Sequence, residues 1–417
     1  MELQPSWVDY TYAPIVSKCH RSEDVISDSF SELSNNNDEH CDGSDEECGV
    51  CINSILPDDI LEQVLGHLPF ATIIKACCVC KKWNDMLHSA RFMRSLSNIS
   101  YQKPWYFMFT RDNDPNGHVY DPMLSKWYQF QIPCVGSPSW RLVSFSGLVC
   151  FMDYACRRKL YVCNPITRYC RKLVELPDAE FCDYCAAAIS MNRSLLSYTV
   201  SVVISKQAPD EEVDWDVSIH LYSSQNRTWV SPLHVTLQAW RGGVDSVVCG
   251  GVLYFVVYLT RTLGYISPRF GVLAYDLAQQ SSDISGDGQV ISAPCPVSCM
   301  RLLNLDEELV MVGGIEKQGR PGVIRGIGIW VLRGKEWEEV SRMPNKFFCR
   351  FGELDDVFES SGFGKLVYIH SYGSPALLMF DMKSKEWKWA RKCPAVKKCA
   401  LHLFSGVCFK PQLDIAP

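Results

Sequence analysis

The sequence has no uninterrupted apolar run of the roughly 18 residues that a membrane-spanning helix needs. Its first residues also lack the basic and apolar stretches of a secretory signal peptide. We therefore expect no membrane insertion and no secretion. The 21 cysteines are then expected to lie in a reducing compartment as free thiols rather than as a disulfide framework.

Positive charge is scarce where nucleic-acid binding would require it. The net charge is −6, but residues 1–50 hold 12 acidic and two basic residues, whereas the remainder holds 35 acidic and 39 basic residues. The part expected to fold is thus close to neutral and shows no basic stripe. This distribution argues against a nucleic-acid partner.

Recognisable catalytic and metal-binding motifs are missing too. The chain has no H-E-x-x-H, no G-x-S-x-G elbow and no phosphate-binding loop. The pairs Cys48–Cys51 and Cys182–Cys185 have C-x-x-C spacing, but neither has the second pair or paired histidines of a structural zinc site. We predict no catalytic residue, no metal and no cofactor.

Residues 1–52 have too few large apolar side chains to offset the entropy lost on ordering, so they are predicted to be a disordered acidic tail. Such a tail is either a solvated spacer or a segment for interaction or phosphorylation.

Residues 53–95, in contrast, have the pattern of a folded helical segment. Apolar residues recur there at helical spacing, and the pattern predicts three short helices, with Pro57 at the start of the first and the third spanning 81–90.

This segment is near the lower size limit for a domain that folds alone, so its apolar residues are expected to find a partner in the chain or outside it. Its string Leu-Pro-Asp-Asp-Ile-Leu-Glu-Gln-Val-Leu-Gly-His-Leu-Pro, followed by Cys-Cys-Val-Cys-Lys-Lys-Trp-Asn, resembles the F-box. F-boxes dock on the Skp-type adaptor of SCF (Skp-cullin-F-box) ubiquitin ligases. The adaptor-binding residues that the resemblance implies are Leu56, Pro57, Ile60, Leu61, Val64, Leu65, Leu68, Pro69, Val79, Cys80 and Trp83.

After a linker at 96–103, residues 104–417 are almost entirely short strand patterns rich in Val, Tyr, Phe and Trp. A hairpin unit recurs at 118–133, 160–177, 220–229, 329–344 and 378–394, with a degenerate copy at 272–277. In several copies an apolar strand ends in Asp or Asn, whose side chain can bond the backbone two residues on, and a Trp follows on the returning strand. The tryptophans at 127, 229, 337 and 387 are expected to pack between neighbouring units.

The units are spaced roughly 50 residues apart, as in kelch-type blades. They resemble the kelch repeats of plant F-box proteins, and the resemblance covers nearly everything after the acidic tail. The expected fold is therefore mixed: a small three-helix F-box followed by an all-β kelch-type β-propeller of six blades. The run 104–109 would begin the ring and 401–409 would close it, while blade boundaries between 178 and 300 stay undecided.

Recognition residues gather on irregular loops carried by rigid scaffolds. The candidates for contact with a target protein are Trp240, Arg241, Asp245, Arg320, Arg350 and Tyr372.

The first hypothesis for function is a non-catalytic substrate receptor of an SCF ubiquitin ligase, which binds a Skp-type adaptor and, through it, a cullin. The alternatives are a scaffold that binds Skp-type adaptors without ligase activity and a propeller enzyme whose helices pack on the ring. The family resemblance also implies a nuclear and/or cytoplasmic location.

Overall fold

A computed structural model describes residues 56–97, 102–110, 116–131, 140–153, 159–177, 182–209, 213–260, 269–278, 290–318, 320–351, 358–395 and 403–417. The predicted acidic tail and the pair Cys48–Cys51 lie outside these residues. The chain divides into two compact units, one ending at Gln102 and the next beginning at Lys103. No helix in the described ranges is long and apolar enough to cross a membrane.

The first unit is a cluster of short helices. They are α1 (Asp58–Gly66), α2 (Phe70–Ala76), α3 (Lys81–Leu87) and α4 (Ala90–Ser97). Pro57 and Pro69 are the N-cap residues of α1 and α2, with φ of −54° and −55°, so each proline precedes its helix by one residue. Two carboxylates lie in the first turn of α1, where they interact favourably with the positive N-terminal end of the helix dipole.

The predicted third helix, 81–90, is wrong in its end point. The structure ends α3 at Leu87 and starts α4 at Ala90, because the Ser89 hydroxyl accepts a hydrogen bond from the Phe92 N–H at 3.1 Å and so caps the new helix. The F-box segment therefore has four helices, and the fourth, which reaches Ser97, overlaps the start of the predicted linker.

The second unit consists of six four-stranded antiparallel sheets. Blade 1 contains β1 (Trp105–Thr110), β2 (Asn116–Asp121), β3 (Lys126–Gln131) and the last strand, β24 (Phe404–Phe409). Blade 2 contains β4 (Trp140–Phe145), β5 (Leu148–Asp153), β6 (Leu160–Cys163) and β7 (Cys170–Lys172). Blade 3 contains β8 (Tyr184–Asn192), β9 (Ser197–Gln207), β10 (Asp214–Ser223) and β11 (Thr228–Gln238).

The other three blades follow in chain order. Blade 4 contains β12 (Trp240–Cys249), β13 (Val252–Leu259), β14 (Phe270–Asp276) and β15 (Ile291–Ser292). Blade 5 contains β16 (Val297–Leu305), β17 (Glu308–Lys317), β18 (Arg320–Arg333) and β19 (Glu336–Arg342), and the short helix α5 (Asn345–Phe348) follows it. Blade 6 contains β20 (Phe358–Phe363), β21 (Leu366–Ser371), β22 (Leu377–Asp381) and β23 (Glu386–Trp389).

The sheets close into a ring. The edge strands β4, β8, β12, β16, β20 and β24 contact one another in that order, and β24 contacts β4 again, so these six are the innermost strands. The predicted closure is confirmed: β24 pairs with β1 in antiparallel register from Trp105↔Phe409 to Thr110↔Phe404. The sequence and structure thus agree on a six-bladed propeller, whose first blade combines both ends of the unit.

The hydrophobic core lies between blades rather than within them. Separate buried clusters join blades 2 and 3, 3 and 4, 4 and 5, 5 and 6, and 6 and 1. The indole N–H groups of Trp127, Trp229 and Trp387 donate hydrogen bonds to the neighbouring Arg391, Val174 and Ser341. The prediction that these tryptophans pack between units is confirmed. The cysteines that the structure describes are free thiols, many of them buried in these clusters.

The predicted turns are present at the ends of the third strands. One carboxylate oxygen of Asp121 accepts the N–H groups of Met123 and Leu124 at 2.8 and 3.2 Å. Asp381 does the same for Lys383 and Ser384. This confirms the predicted turn of the repeat, in which an Asp or Asn side chain accepts hydrogen bonds from backbone N–H groups further along the chain.

Asn164 performs the same role in blade 2 and also holds the last residues of the chain. Its amide oxygen accepts the N–H groups of Ile166 and Thr167, while its amide nitrogen donates to the carbonyls of Gln412 and Ile415 at 3.0 and 2.7 Å. Asn164 is fully buried, so no water is available to replace these bonds.

We expect Asn164→Ala to lower the free energy of unfolding by about 3 kcal/mol, since several buried polar groups lose their partners. Asp381→Ala removes a turn of the same kind without contacts to the end of the chain, and its cost should be nearer about 1 kcal/mol. Urea unfolding followed by tryptophan fluorescence measures both variants. Equal losses would show that the contacts to Gln412 and Ile415 contribute nothing.

Candidate functional site

The first unit carries apolar side chains that its own helices leave exposed. Pro57, Ile60 and Val64 follow one another at i, i+3 and i+7 and therefore lie on one side of the start and body of α1. Ile60 is 40% exposed, Val64 52% and Val79, in the segment between α2 and α3, 63%. We call these four residues the apolar F-box face. A cluster of this size cannot bury all its apolar residues, and these are the ones left over.

The eleven predicted adaptor-binding residues fall into three groups. The exposed ones are the four residues of the apolar F-box face, and the half-buried ones are Leu56, Leu68, Pro69, Cys80 and Trp83. Leu61 and Leu65 lie on the neighbouring side of α1 and are buried, with 2% and 1% exposure. These two side chains form the small core of the helices and support the exposed face instead of belonging to it.

Ion pairs connect α1 to two other helices of the unit. Lys82 of α3 lies 2.7 Å from the Asp58 carboxylate of α1, and Arg91 of α4 lies 3.1 Å from Glu62. Phe70 and Phe92, both 1% exposed, belong to the buried residues of the unit. The helix that carries Ile60 and Val64 is therefore joined to the rest of the unit by ion pairs and by a buried core, which suits a surface that binds a partner without rearrangement.

The propeller has two distinct ends. We call the end at which the innermost strands begin the upper end. Because neighbouring strands in each sheet are antiparallel, the connections between blades and those between second and third strands also lie at the upper end. Five of the six predicted target-binding residues lie there, in connections or at strand ends: Trp240, Arg241, Arg320, Arg350 and Tyr372. Asp245 lies deeper, on the innermost strand β12.

The structure brings only some of these residues together. Asp245 and Tyr372 both line a central cavity of about 410 Å³ enclosed by innermost strands of five blades. Arg241 lines a separate pocket, whereas Trp240 is half-buried against the cluster between blades 3 and 4. Arg320 and Arg350 are exposed on blade 5 and on the connection to blade 6.

The central cavity is polar and carries charges of both signs. Arg301 of β16, Asp245 of β12 and Glu359 of β20 line it together with serines and Asn304. The Asp245 carboxylate accepts the Leu302 N–H at 3.3 Å, and the Asn304 amide donates to the Val248 carbonyl at 2.7 Å. These bonds link blades 4 and 5, so part of this polarity stabilises the ring itself.

A buried histidine that sequence reasoning missed joins blade 6 to blade 1. The His370 ring, fully buried, has Nδ1 2.6 Å from the Tyr106 hydroxyl and Nε2 3.8 Å from the Glu359 carboxylate. Glu359 also accepts the Ser405 hydroxyl at 3.0 Å and the Gly406 N–H at 3.3 Å. No local sequence pattern marks His370, because its partners lie 264 and 11 residues away along the chain.

This network supports a structural role rather than catalysis. Burial, followed by the nearby Glu359 charge, raises the pKa of Tyr106 well above its usual value. A tyrosine that is to act as a base or nucleophile needs the opposite shift. In the part of the chain that the structure describes, no group of three or more His, Cys, Asp or Glu residues is arranged to hold a metal ion.

Comparison with known protein families agrees with this architecture. Residues 53–95 match the F-box domain, residues 123–304 match the β-propeller of F-box protein At3g26010-like proteins, and residues 296–344 match the Kelch motif. Homologues of this F-box/kelch type are typically non-catalytic adaptors, and no enzyme family is indicated.

Relatives from Arabidopsis thaliana share this organisation over most of their length. The chain is 48% identical to F-box/kelch-repeat protein At3g61590 over 430 aligned positions, which cover 100% of both chains. It is 28% identical to F-box only protein 6, with 85% of this chain and 73% of the relative covered. Protein UNUSUAL FLORAL ORGANS is 24% identical, with coverage of 82% and 79%. The chain therefore belongs to the plant F-box/kelch-repeat proteins.

Proposed function

We propose that this protein is the substrate receptor of an SCF ubiquitin ligase. The helical unit binds a Skp-type adaptor, which brings the cullin, and the propeller binds the target protein. The observation that carries the proposal is the apolar F-box face: Ile60, Val64 and Val79 stay exposed, whereas the other large apolar residues of the unit are buried or half-buried. Large apolar side chains that a small unit leaves exposed together are a signature of a binding site for another protein.

The mechanism is proximity. A target lysine held near a ubiquitin-conjugating enzyme reacts as if its concentration were far higher than in solution. No side chain of this protein then takes part in bond formation, which agrees with a family of non-catalytic adaptors. We also propose that the protein acts in the nucleus and/or the cytoplasm.

The test is reconstitution from purified components. The chain is mixed with a plant Skp-type adaptor and then with a cullin carrying its RING subunit, and complexes are followed by size-exclusion chromatography. We expect one complex of all components and, with ubiquitin and its activating and conjugating enzymes added, transfer of ubiquitin to lysines of the complex. The double variant Leu56→Ala, Pro57→Ala should not co-elute with the adaptor.

The outcomes separate the candidate functions. Co-elution with the adaptor but exclusion of the cullin would identify a scaffold that holds the adaptor without ligase activity. Failure of the well-folded wild-type chain to bind the adaptor would refute both. Circular dichroism of each variant confirms that the strands of the propeller remain folded.

A further inference from the structure

A second pocket lies at the upper end of the propeller and has a chemistry different from that of the central cavity. It encloses about 260 Å³ and is lined by two arginines, Arg241 and Arg269, together with Tyr258, Phe270 and other residues of blades 4 and 5. The pocket thus combines positive charge with aromatic walls at the end of the ring where connections between blades lie.

The Arg241 guanidinium contacts two tyrosine rings. Its guanidinium carbon lies 3.9 Å from the centre of the Tyr184 ring and 4.4 Å from the centre of the Tyr258 ring. Tyr184 belongs to blade 3 and Tyr258 to blade 4, so the arginine fills the junction between two blades. Cation–π contacts of this kind fix the position of the guanidinium without using its N–H groups as hydrogen-bond donors.

The two tyrosines that contact Arg241 each pack against a further aromatic ring. The Tyr184 ring lies 5.6 Å from Trp215, and the Tyr258 ring lies 4.6 Å from Phe270. Gly243 makes room for Tyr258, because a Cβ at that position would lie 2.5 Å from the tyrosine ring. The orientation of Arg241 is therefore fixed before any ligand arrives, which lowers the entropic cost of binding.

The guanidinium of Arg241 has no hydrogen bond or ion pair with any residue that the structure describes. Its neighbour Arg269 differs, since it donates to the Glu316 carboxylate at 3.2 Å. Ser298, which also lines the pocket, has a buried hydroxyl without a partner among the described residues. The Arg241 guanidinium and the Ser298 hydroxyl can both donate hydrogen bonds, and no described residue accepts from either of them.

The charge of the pocket selects the kind of acceptor. Arg241 and Arg269 contribute two positive charges and Glu316 one negative charge, which leaves a single positive charge. A carboxylate neutralises that charge and has two oxygens spaced to accept a pair of N–H groups from one guanidinium. A phosphate dianion would leave the site with an excess negative charge in a partly buried environment.

We propose that this pocket binds an aspartate or glutamate side chain of the target protein, with Arg241 as the principal donor. The inference rests on the proposed function in taking the propeller as the target-binding unit. It adds a chemical requirement: a target segment must present a carboxylate to the upper end, at the pocket lined by blades 4 and 5.

The test uses peptides, so that it does not depend on knowing the target. A library of random twelve-residue peptides displayed on their own mRNA, in which carboxylates come only from side chains, is selected on the full chain. We expect the enriched peptides to share an Asp or Glu at one position. Replacing that residue with Gln or Asn in the synthetic peptide should weaken binding to the wild type by about 30-fold.

The same replacement should change binding to Arg241→Gln by less than about twofold, because the partner of the carboxylate is gone. Arg241→Lys keeps a positive charge between the rings but not the fork of donors, and should recover only part of the preference. Arg333→Gln is the matched control: Arg333 is exposed at the lower end and pairs with Glu308, and its variant should bind as the wild type does.

Three results would each overturn the inference. The first is that no acidic position is enriched, and the second is that the acidic preference survives in Arg241→Gln. The third is tighter binding when phosphoserine replaces the acidic residue. If Arg241→Gln does not fold, Arg241→Lys carries the comparison, since it keeps a positive charge beside the two tyrosine rings. Adaptor binding is measured on the same samples, so a failure here with intact adaptor binding refutes the carboxylate site and leaves the proposed ligase function standing.

Discussion

Replacing Val64 with glutamate is expected to weaken binding of a plant Skp-type adaptor by about 100-fold or more while leaving the fold intact. Val64 is 52% exposed on α1 and lies one turn after Ile60, so the change places a charge in the middle of the apolar F-box face. On binding, that carboxylate would lose its water without gaining a partner, a cost that an apolar interface cannot recover.

The structure explains why the free protein should tolerate this variant. The side chain of Val64 points away from the core formed by Leu61 and Leu65, and glutamate is a good helix former. Substitutions at exposed helix positions usually change stability by less than about 0.5 kcal/mol. A large loss of affinity with an unchanged unfolding midpoint would therefore report the interface alone.

A closely matched control exists in the propeller. Val230 on β11 is also a valine and is also 52% exposed, so Val230→Glu makes the same chemical change on the other unit. Calorimetric titration of the adaptor into each variant gives the comparison. Equal affinities of Val64→Glu and wild type would show that the apolar F-box face does not bind the adaptor, and an equal loss in Val230→Glu would show that the effect is not specific.

The sequence predicts most of the fold because its signals are local. The turns at Asp121, Asn164 and Asp381 depend on a side chain bonding N–H groups two or three residues further on, which a short stretch of sequence reveals. The F-box likewise depends on helical spacing and on prolines at helix starts. Both features can be detected without knowing which distant residues they contact.

The blades between 178 and 300 could not be assigned from sequence, for two structural reasons. The innermost strand β12 contains a bulge between Gly242 and Ser246, which interrupts the alternation expected of a strand. In blade 4 the unit around Asp276 lacks its tryptophan, and the fourth strand, β15, has only two residues. A short strand and a bulge both weaken the periodic pattern on which the assignment relied.

The candidate sites depend on long-range contacts and are therefore less visible. Arg241 was predicted as a loop residue for target binding, yet it lies on strand β12, and its role depends on Tyr184, from another blade. His370 was not predicted at all. The central cavity is likewise formed by strands far apart in sequence, and only ring closure brings Asp245 and Tyr372 to it.

Removing the last strand is expected to prevent the propeller from folding. A chain that ends at Leu403 lacks β24, which is both the innermost strand of blade 1 and the partner of β1 over six residue pairs. Tyr106, which is fully buried, would lose Phe404 and Cys408 from the cluster between blades 6 and 1, and Glu359 would lose its hydrogen bonds from Ser405 and Gly406. An open ring also exposes two sheet edges, which favour aggregation.

A chain that ends at Phe409 tests how much the residues after β24 contribute to the stability of the propeller. It keeps β24 but loses the contacts of Gln412 and Ile415 with Asn164 and Ser146, and its unfolding midpoint should fall by roughly 5 to 10 °C. Deletion of residues 1–52, which the sequence predicts to be disordered, is the control and should leave the midpoint unchanged. Differential scanning calorimetry compares the wild type with these three variants.

Cooperative unfolding of the chain ending at Leu403, near the wild-type midpoint, would show that the ring does not need β24 for closure. Blade 1 would then be an accessory sheet, and the contact between β4 and β24 would contribute little to stability.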